Sequence, residues 1–130
     1  MDTRVGALAG LHVLVVEDNN DARDILAMVL RYFGALVTTA VNAAEALQSL
    51  RTVAPDVVVA DIQLPDHNAP WLIRAARRLP STVPFIVVSA LDHDPATMSD
   101  WDFEVYLRKP VDHVQLVDTI LAVTRRAPGI

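Results

Sequence analysis

A chain of 130 residues fits one domain, and 52% hydrophobic but only 5% aromatic residues mean a core built from Val, Leu, Ile and Ala, as in a parallel sheet covered by helices. A net charge of −5, with no basic run longer than the pairs Arg77 and Arg78 or Arg125 and Arg126, argues against direct nucleic-acid binding; the absence of cysteine excludes disulfides and thiol chemistry. The apolar stretch over residues 5–16 is too short for a bilayer, is interrupted by His12 and runs straight into Glu17 and Asp18, so neither a membrane span nor a signal peptide is expected, and a cytoplasmic location is.

Short apolar runs alternate with helical periodicity. After a loose tail over residues 1–10, a buried strand is expected over residues 11–16. A helix follows over residues 20–33, with Ile25, Leu26, Val29, Leu30 and Phe33 on one face, Asn19 or Asn20 as cap and Gly34 closing it. The second strand is residues 35–40. The second helix starts at Asn42, with Glu45 three residues on as a capping-box pattern.

The third strand, residues 57–60, follows the turn signal Pro55 and Asp56. The third helix covers residues 69–79, with Asn68 as cap and Pro70 in its first turn. The fourth strand is residues 85–88. A short helix is expected over residues 96–101, with Asp94 as cap and Pro95 at its first position. The fifth strand is residues 103–107, and the last helix residues 112–125, opened by Asp112 and Gln115.

Five strand–helix repeats with right-handed crossovers give an α/β fold, a doubly wound parallel sheet in which every strand points its C-terminal end to one edge. In the order 2-1-3-4-5, the strand order reverses between the first and third strands, which is where such sheets bind ligands. The folded unit is expected over residues 11–126, with a short tail over residues 127–130.

The chemistry-bearing residues gather at that edge. Glu17 and Asp18 end the first strand, Asp61 the third, Ser89 the fourth and Lys109 the fifth. A carboxylate at the mouth of a buried strand is costly to ionise without a cation partner. Three acids offer hard oxygen ligands, which favour Mg²⁺ or Mn²⁺ over Zn²⁺. An ammonium and a hydroxyl beside them would neutralise phosphoryl oxygens during transfer to a carboxylate. Asp61 is the candidate nucleophile, because aspartate forms acyl phosphates. Taken singly, Glu17 and Asp18 read equally well as helix capping, Ser89 as a turn residue, Lys109 as surface charge and Tyr106 as packing. Together at one sheet edge they favour a functional site.

These residues stand in recognisable motifs: Val13 to Asn19 (VLVVEDN), Asp61 to Pro65 (DIQLP), Ser89 with Ala90, and Tyr106 to Pro110 (YLRKP). In order and spacing the chain resembles the receiver domain of two-component response regulators, a flavodoxin-like, CheY-like fold, over essentially its whole length. The resemblance implies that Asp61 accepts a phosphoryl group from a histidine kinase or histidine phosphotransfer domain. It implies Glu17, Asp18, Asp61 and the Gln63 carbonyl as Mg²⁺ ligands and Lys109 as the ionic partner of the phosphate. Ser89 would move onto the phosphate and Tyr106 turn inward with it. A cis Lys109–Pro110 bond is also implied. Phosphorylation would then shift a two-state surface read by a downstream protein, with the protein a monomer or a weak dimer through the face of the short fourth helix, fifth strand and last helix.

Three departures stand out. Ala69 replaces the usual glycine, so the loop before it is expected to take another conformation. The segment from Ser89 to Lys109 is short by about a helical turn. Asp102 and Phe103 replace the usual glycine and alanine; phenylalanine there is found in receivers attached to hybrid histidine kinases. Leu91 is apolar where a residue orienting a water would stand, which implies a persistent acyl phosphate.

Rival readings fare less well. An aspartate-nucleophile phosphatase needs a second acid where Gln63 stands. A nucleotide-binding module needs a glycine-rich turn after the first strand, but the glycines are Gly6, Gly10, Gly34 and Gly129. A receiver-like interaction module that is never phosphorylated stays open, although the intact acid, hydroxyl and lysine set argues against it. No output domain follows the last helix, so the chain reads as a stand-alone regulator or as a receiver from a larger protein.

Overall fold

Alternating side chains along four apolar strands bury both faces of one sheet, and that sets the architecture. The computed structural model describes residues 4–90 and 102–124. The strands are β1 (His12–Val16), β2 (Leu36–Ala40), β3 (Val57–Asp61), β4 (Phe85–Ser89) and β5 (Val105–Arg108). The helices are α1 (Asn20–Tyr32), α2 (Ala43–Thr52), α3 (Ala69–Ala76) and α4 (His113–Val123). All strand pairs are parallel, in the order β2-β1-β3-β4-β5. The expected α/β doubly wound fold is therefore the observed one. The short helix expected over residues 96–101 lies outside the described residues.

Two cores lie on opposite faces. Val13, Val15, Val57, Val59, Ile86 and Val88 pack with Leu30 of α1 and with Leu116, Val117 and Ile120 of α4. Leu14, Val16, Val58, Ala60, Phe85 and Val87 pack with Ala43 and Ala46 of α2 and with Leu72 and Ile73 of α3. The two-residue period of a strand divides them this way. Phe85 is among the largest fully buried side chains, so Phe85→Ala would cost about 3–5 kcal/mol.

The helices start where acceptor side chains meet orphan N–H groups. Asn19 accepts from the Ala22 N–H, Asn42 from Glu45, Asn68 from Trp71, and Asp112 from Val114 and Gln115. Several ends differ from expectation, those of α3 and β5 among them. α3 stops at Ala76: Arg77 caps it with its N–H still on Ile73 O, and three-residue turns, Arg78 N–H to Ala75 O and Leu79 N–H to Ala76 O, carry the chain on. β5 begins at Val105, and the Glu104 N–H already donates to Phe85 O at 2.8 Å. Gly34 closes α1 at φ +101°, with Ala9 N 3.1 Å from where a Cβ would stand, so a larger residue there would be strained.

The N-terminal tail requires correction. Residues 4–10 form successive turns, anchored at Leu8 with Arg4 and Ala7 partly covered. Leu8 is fully buried in the core shared by α1 and α4, and its N–H donates to Phe33 O at 2.9 Å. Arg4 pairs with Asp118 of α4 at 3.0 Å. Leu8, its hydrogen bond to Phe33 and the Arg4–Asp118 pair together hold a segment that lacks strand or helix periodicity.

Candidate phosphoacceptor site

The strand register carries the three acids, Ser89 and Lys109 to one edge. β1 runs into Glu17 and Asp18, β3 ends in Asp61, β4 ends in Ser89, and Lys109 directly follows β5. Val16 lies opposite Ala60, and Asp61 opposite Val88. The turn into Lys109 is pinned by its N–H donating to Ser89 O at 2.8 Å, and the Lys109–Pro110 bond is cis, as expected.

Lys109 is the electrostatic centre. Its Nζ donates to Glu17 Oε1 and to Asp61 Oδ2, each at 2.7 Å. Glu17 is buried and Asp61 nearly so, so each carboxylate has the cation partner its burial demands. Partial burial pulls the Lys109 ammonium down, but hydrogen bonds and attraction from Asp61 and Glu17 outweigh it and hold the lysine above its ordinary range. The second oxygen of Asp61 accepts from the Gln63 N–H at 3.1 Å.

Glu17, Asp18 and Asp61 can each bring one carboxylate oxygen to within 4.8 Å of the others. Glu17 is buried, Asp18 exposed and Asp61 between them. Asp18, Asp61, Gln63, Ser89 and Lys109 line one cleft of about 350 Å³. Ser89 is 2% exposed. Tyr106 is half-buried against the core formed with α2 and α3. All seven residues singled out in the sequence are thus at or next to one edge, with Tyr106 set back in β5. Leu91 lies outside the described residues.

Some contributors were not singled out in the sequence. Arg23 of α1 donates to the backbone carbonyls of Glu17 at 3.1 Å and Asp18 at 3.5 Å, and to Asn20 Oδ1 at 2.7 Å, so it braces the acidic turn. Its position one turn into α1 was the available signal. Asp66 reaches across to the N-terminus of α2, accepting from Ala43 and Ala44, each at 2.9 Å. Nothing local in the sequence marks a contact across more than twenty residues. A second, largely apolar groove of about 540 Å³ adjoins the cleft, lined by Ala22, Ile25 and Leu26 of α1 and by Pro110, Val111 and His113.

The departures resolve simply where they are described. Ala69 is the first residue of α3, a helical position that suits alanine, and its N–H closes the loop on Ile62 O at 2.9 Å. Asp102 accepts from Arg77 Nε at 2.6 Å, while Arg77 also donates to Val83 O and lies 5.4 Å from the Phe85 ring centroid. Phe103 packs on the adjacent core.

Comparison with known proteins agrees with this geometry. The response regulator receiver domain family matches residues 13–121, and the chain belongs to it. It is 39% identical over 114 residues to an uncharacterised 14.6 kDa protein of Leptolyngbya boryana, covering 85% of this chain and 87% of that one. It is 36% identical to the transcriptional regulatory protein PrrA of Mycobacterium tuberculosis over 97% of this chain but 54% of PrrA, so it spans about half of that regulator. The solved receiver domain of Francisella response regulator 1452 superposes with a TM-score of 0.82 at 25% identity, covering 90% of this chain and 98% of that one. Among the described residues no helix is long and apolar enough to cross a membrane.

Proposed function

We propose that Asp61 is the phosphoacceptor of a two-component phosphorelay. The observation that carries this is the ammonium of Lys109 bridging Asp61 and Glu17 at 2.7 Å, at the mouth of a cleft that Ser89 also lines. A carboxylate oxygen of Asp61 attacks the phosphorus of a phosphorylated histidine. The new P–O bond forms as the P–N bond breaks, and the histidine nitrogen leaves with the electron pair. Lys109 neutralises the charge on the transferred group, and the Ser89 hydroxyl donates to it.

The donor set fits Mg²⁺ or Mn²⁺: Glu17, Asp18, Asp61 and the Gln63 carbonyl are all hard oxygens, and Asp18 keeps the site open to water. When bound, the ion supplies positive charge against the phosphoryl oxygens. The phosphodonor is a histidine kinase or histidine phosphotransfer domain, acting in the cytoplasm. The apolar groove beside Asp61 supports a protein donor, since Ile25 on its rim is 50% exposed and Met28 next along α1 is 64% exposed. Once phosphorylated, Asp61 draws Ser89 and Lys109 to the phosphate, and Tyr106 follows, which alters the face that a downstream protein reads.

Beryllium fluoride, which mimics a phosphoryl group on a carboxylate, provides the test. With Mg²⁺ it shifts the backbone amide signals of Ser89 and Lys109 in wild type and leaves Asp61→Asn unchanged. Amide signals that stay in place in the wild type would contradict the proposal.

A further inference from the structure

The β3–α3 loop, residues 62–68, carries the Gln63 backbone to the site and is tied down in an uneven way. Its base is closed on itself: Gln63 bridges Asn68, and the Ala69 N–H donates to Ile62 O. Its tip is held by another element altogether. Asp66 is exposed, yet both its carboxylate oxygens are used. Oδ1 accepts from the N–H of Ala43 and Oδ2 from the N–H of Ala44, each at 2.9 Å, and Oδ1 also accepts from the His67 N–H at 2.9 Å.

The anchor is firm. Ala43 is fully buried and α2 packs against the sheet through Ala43 and Ala46, so the N-terminus of α2 is seated in the core. A helix N-terminus presents orphan N–H groups and a partial positive charge, which suit a carboxylate. Asn42 takes the Glu45 N–H, and Asp66 takes the Ala43 and Ala44 N–H groups. On the other flank the His67 ring stacks on Trp71 of α3, with centroids 3.7 Å apart and 5° between planes.

We infer that Asp66 is a positioning residue for the phosphoacceptor site: by clamping the loop tip to α2, it fixes the backbone at Gln63 where the metal is to be held. This rests on the function proposed above. Asp66 touches neither phosphate nor metal. It acts through the loop, as supporting partners of metal ligands do.

The experiment follows acetyl phosphate uptake by the full chain against Mg²⁺ concentration, with the Gln63 amide signal as a second reading of metal binding. Asp66→Ala is expected to raise the half-saturating Mg²⁺ about tenfold, with the rate at saturating Mg²⁺ held within about twofold. Asp66→Asn, which keeps one acceptor oxygen, falls between and carries the test if the alanine variant does not fold. Asn42→Ala removes a cap of the same helix without touching the loop; it lowers the melting temperature and leaves the Mg²⁺ dependence unchanged. An unchanged Mg²⁺ dependence in the Asp66 variants, or an equal rise in Asn42→Ala, overturns the inference alone. A wild type that takes up no phosphoryl group overturns the proposed function and the role of Asp66 with it.

Discussion

Lys109 Nζ and Asp61 Oδ2 lie 2.7 Å apart, although 48 positions separate the residues in the chain. The parallel sheet makes this possible by bringing the C-terminal ends of β3 and β5 to one edge on either side of β4. Lysine serves as counter-ion to two acids that burial would otherwise penalise, and under the proposed function the same ammonium would meet an incoming phosphate.

Removing that ammonium leaves Glu17 and Asp61 side by side with no cation. The side chains of the two acids are only 7% and 15% exposed. Lys109→Met is expected to lose about 1–3 kcal/mol in EDTA, a figure discounted because a third of the lysine faces solvent. Mg²⁺ restores more stability to the variant than to wild type, because it replaces the missing positive charge. Thermal melts with EDTA and with Mg²⁺ check both parts. A variant as stable as wild type in EDTA contradicts the counter-ion role.

Asp66 and Lys109 give stability opposite pH limits. Burial pushes the Asp66 carboxyl up, but the N–H groups of Ala43, Ala44 and His67 outweigh it and hold it below the ordinary value of 3.8. A lowered acid contributes stability above its ordinary value and loses it as pH falls through the lower folded one. Lys109 is held above 10.5, so its contribution is intact below that value and is lost as pH rises beyond it. In metal-free protein, the melting difference between wild type and Asp66→Asn is therefore constant from pH 7 to 5 and shrinks below pH 3.8. A difference that widens on acidification contradicts the assignment.

Arg77 explains why Asp102 is tolerated where the family pattern has glycine. Its guanidinium donates to Val83 O and Asp102 and lies near the Phe85 ring, so it joins the end of α3 to the start of β5. Arg77→Met is expected to cost about 1–3 kcal/mol, since a partly buried carbonyl loses its donor. Asp102→Gly costs less than about 1 kcal/mol, because the side chain is 68% exposed. Denaturant unfolding of both and of the double variant measures the coupling. Equal losses from the two single variants contradict this ranking.

What the sequence showed and hid follows from range. Strand and helix positions were legible because Val13 to Val16, Val57 to Ala60 and the caps Asn19, Asn42 and Asp112 are local signals. The acids and Lys109 were legible because a parallel sheet carries every strand end to one edge. Leu8 was read as part of a loose tail because nothing within its own segment indicates that α1 and α4 leave it a place. The Asp66 contact to Ala43 and Ala44, and the Arg77 contact to Asp102, depend on how separate loops meet, so no local pattern announces them. Ala69 was expected to give its loop another conformation than the usual one; here the position is helical and asks for no positive φ.

The most direct measurement is the intact mass of the protein after incubation with acetyl phosphate and Mg²⁺. Wild type is predicted to gain the mass of one phosphoryl group, to lose that gain when EDTA replaces Mg²⁺, and to show none as Asp61→Asn. No gain in wild type, or a gain that persists in Asp61→Asn, would contradict Asp61 as the phosphoacceptor.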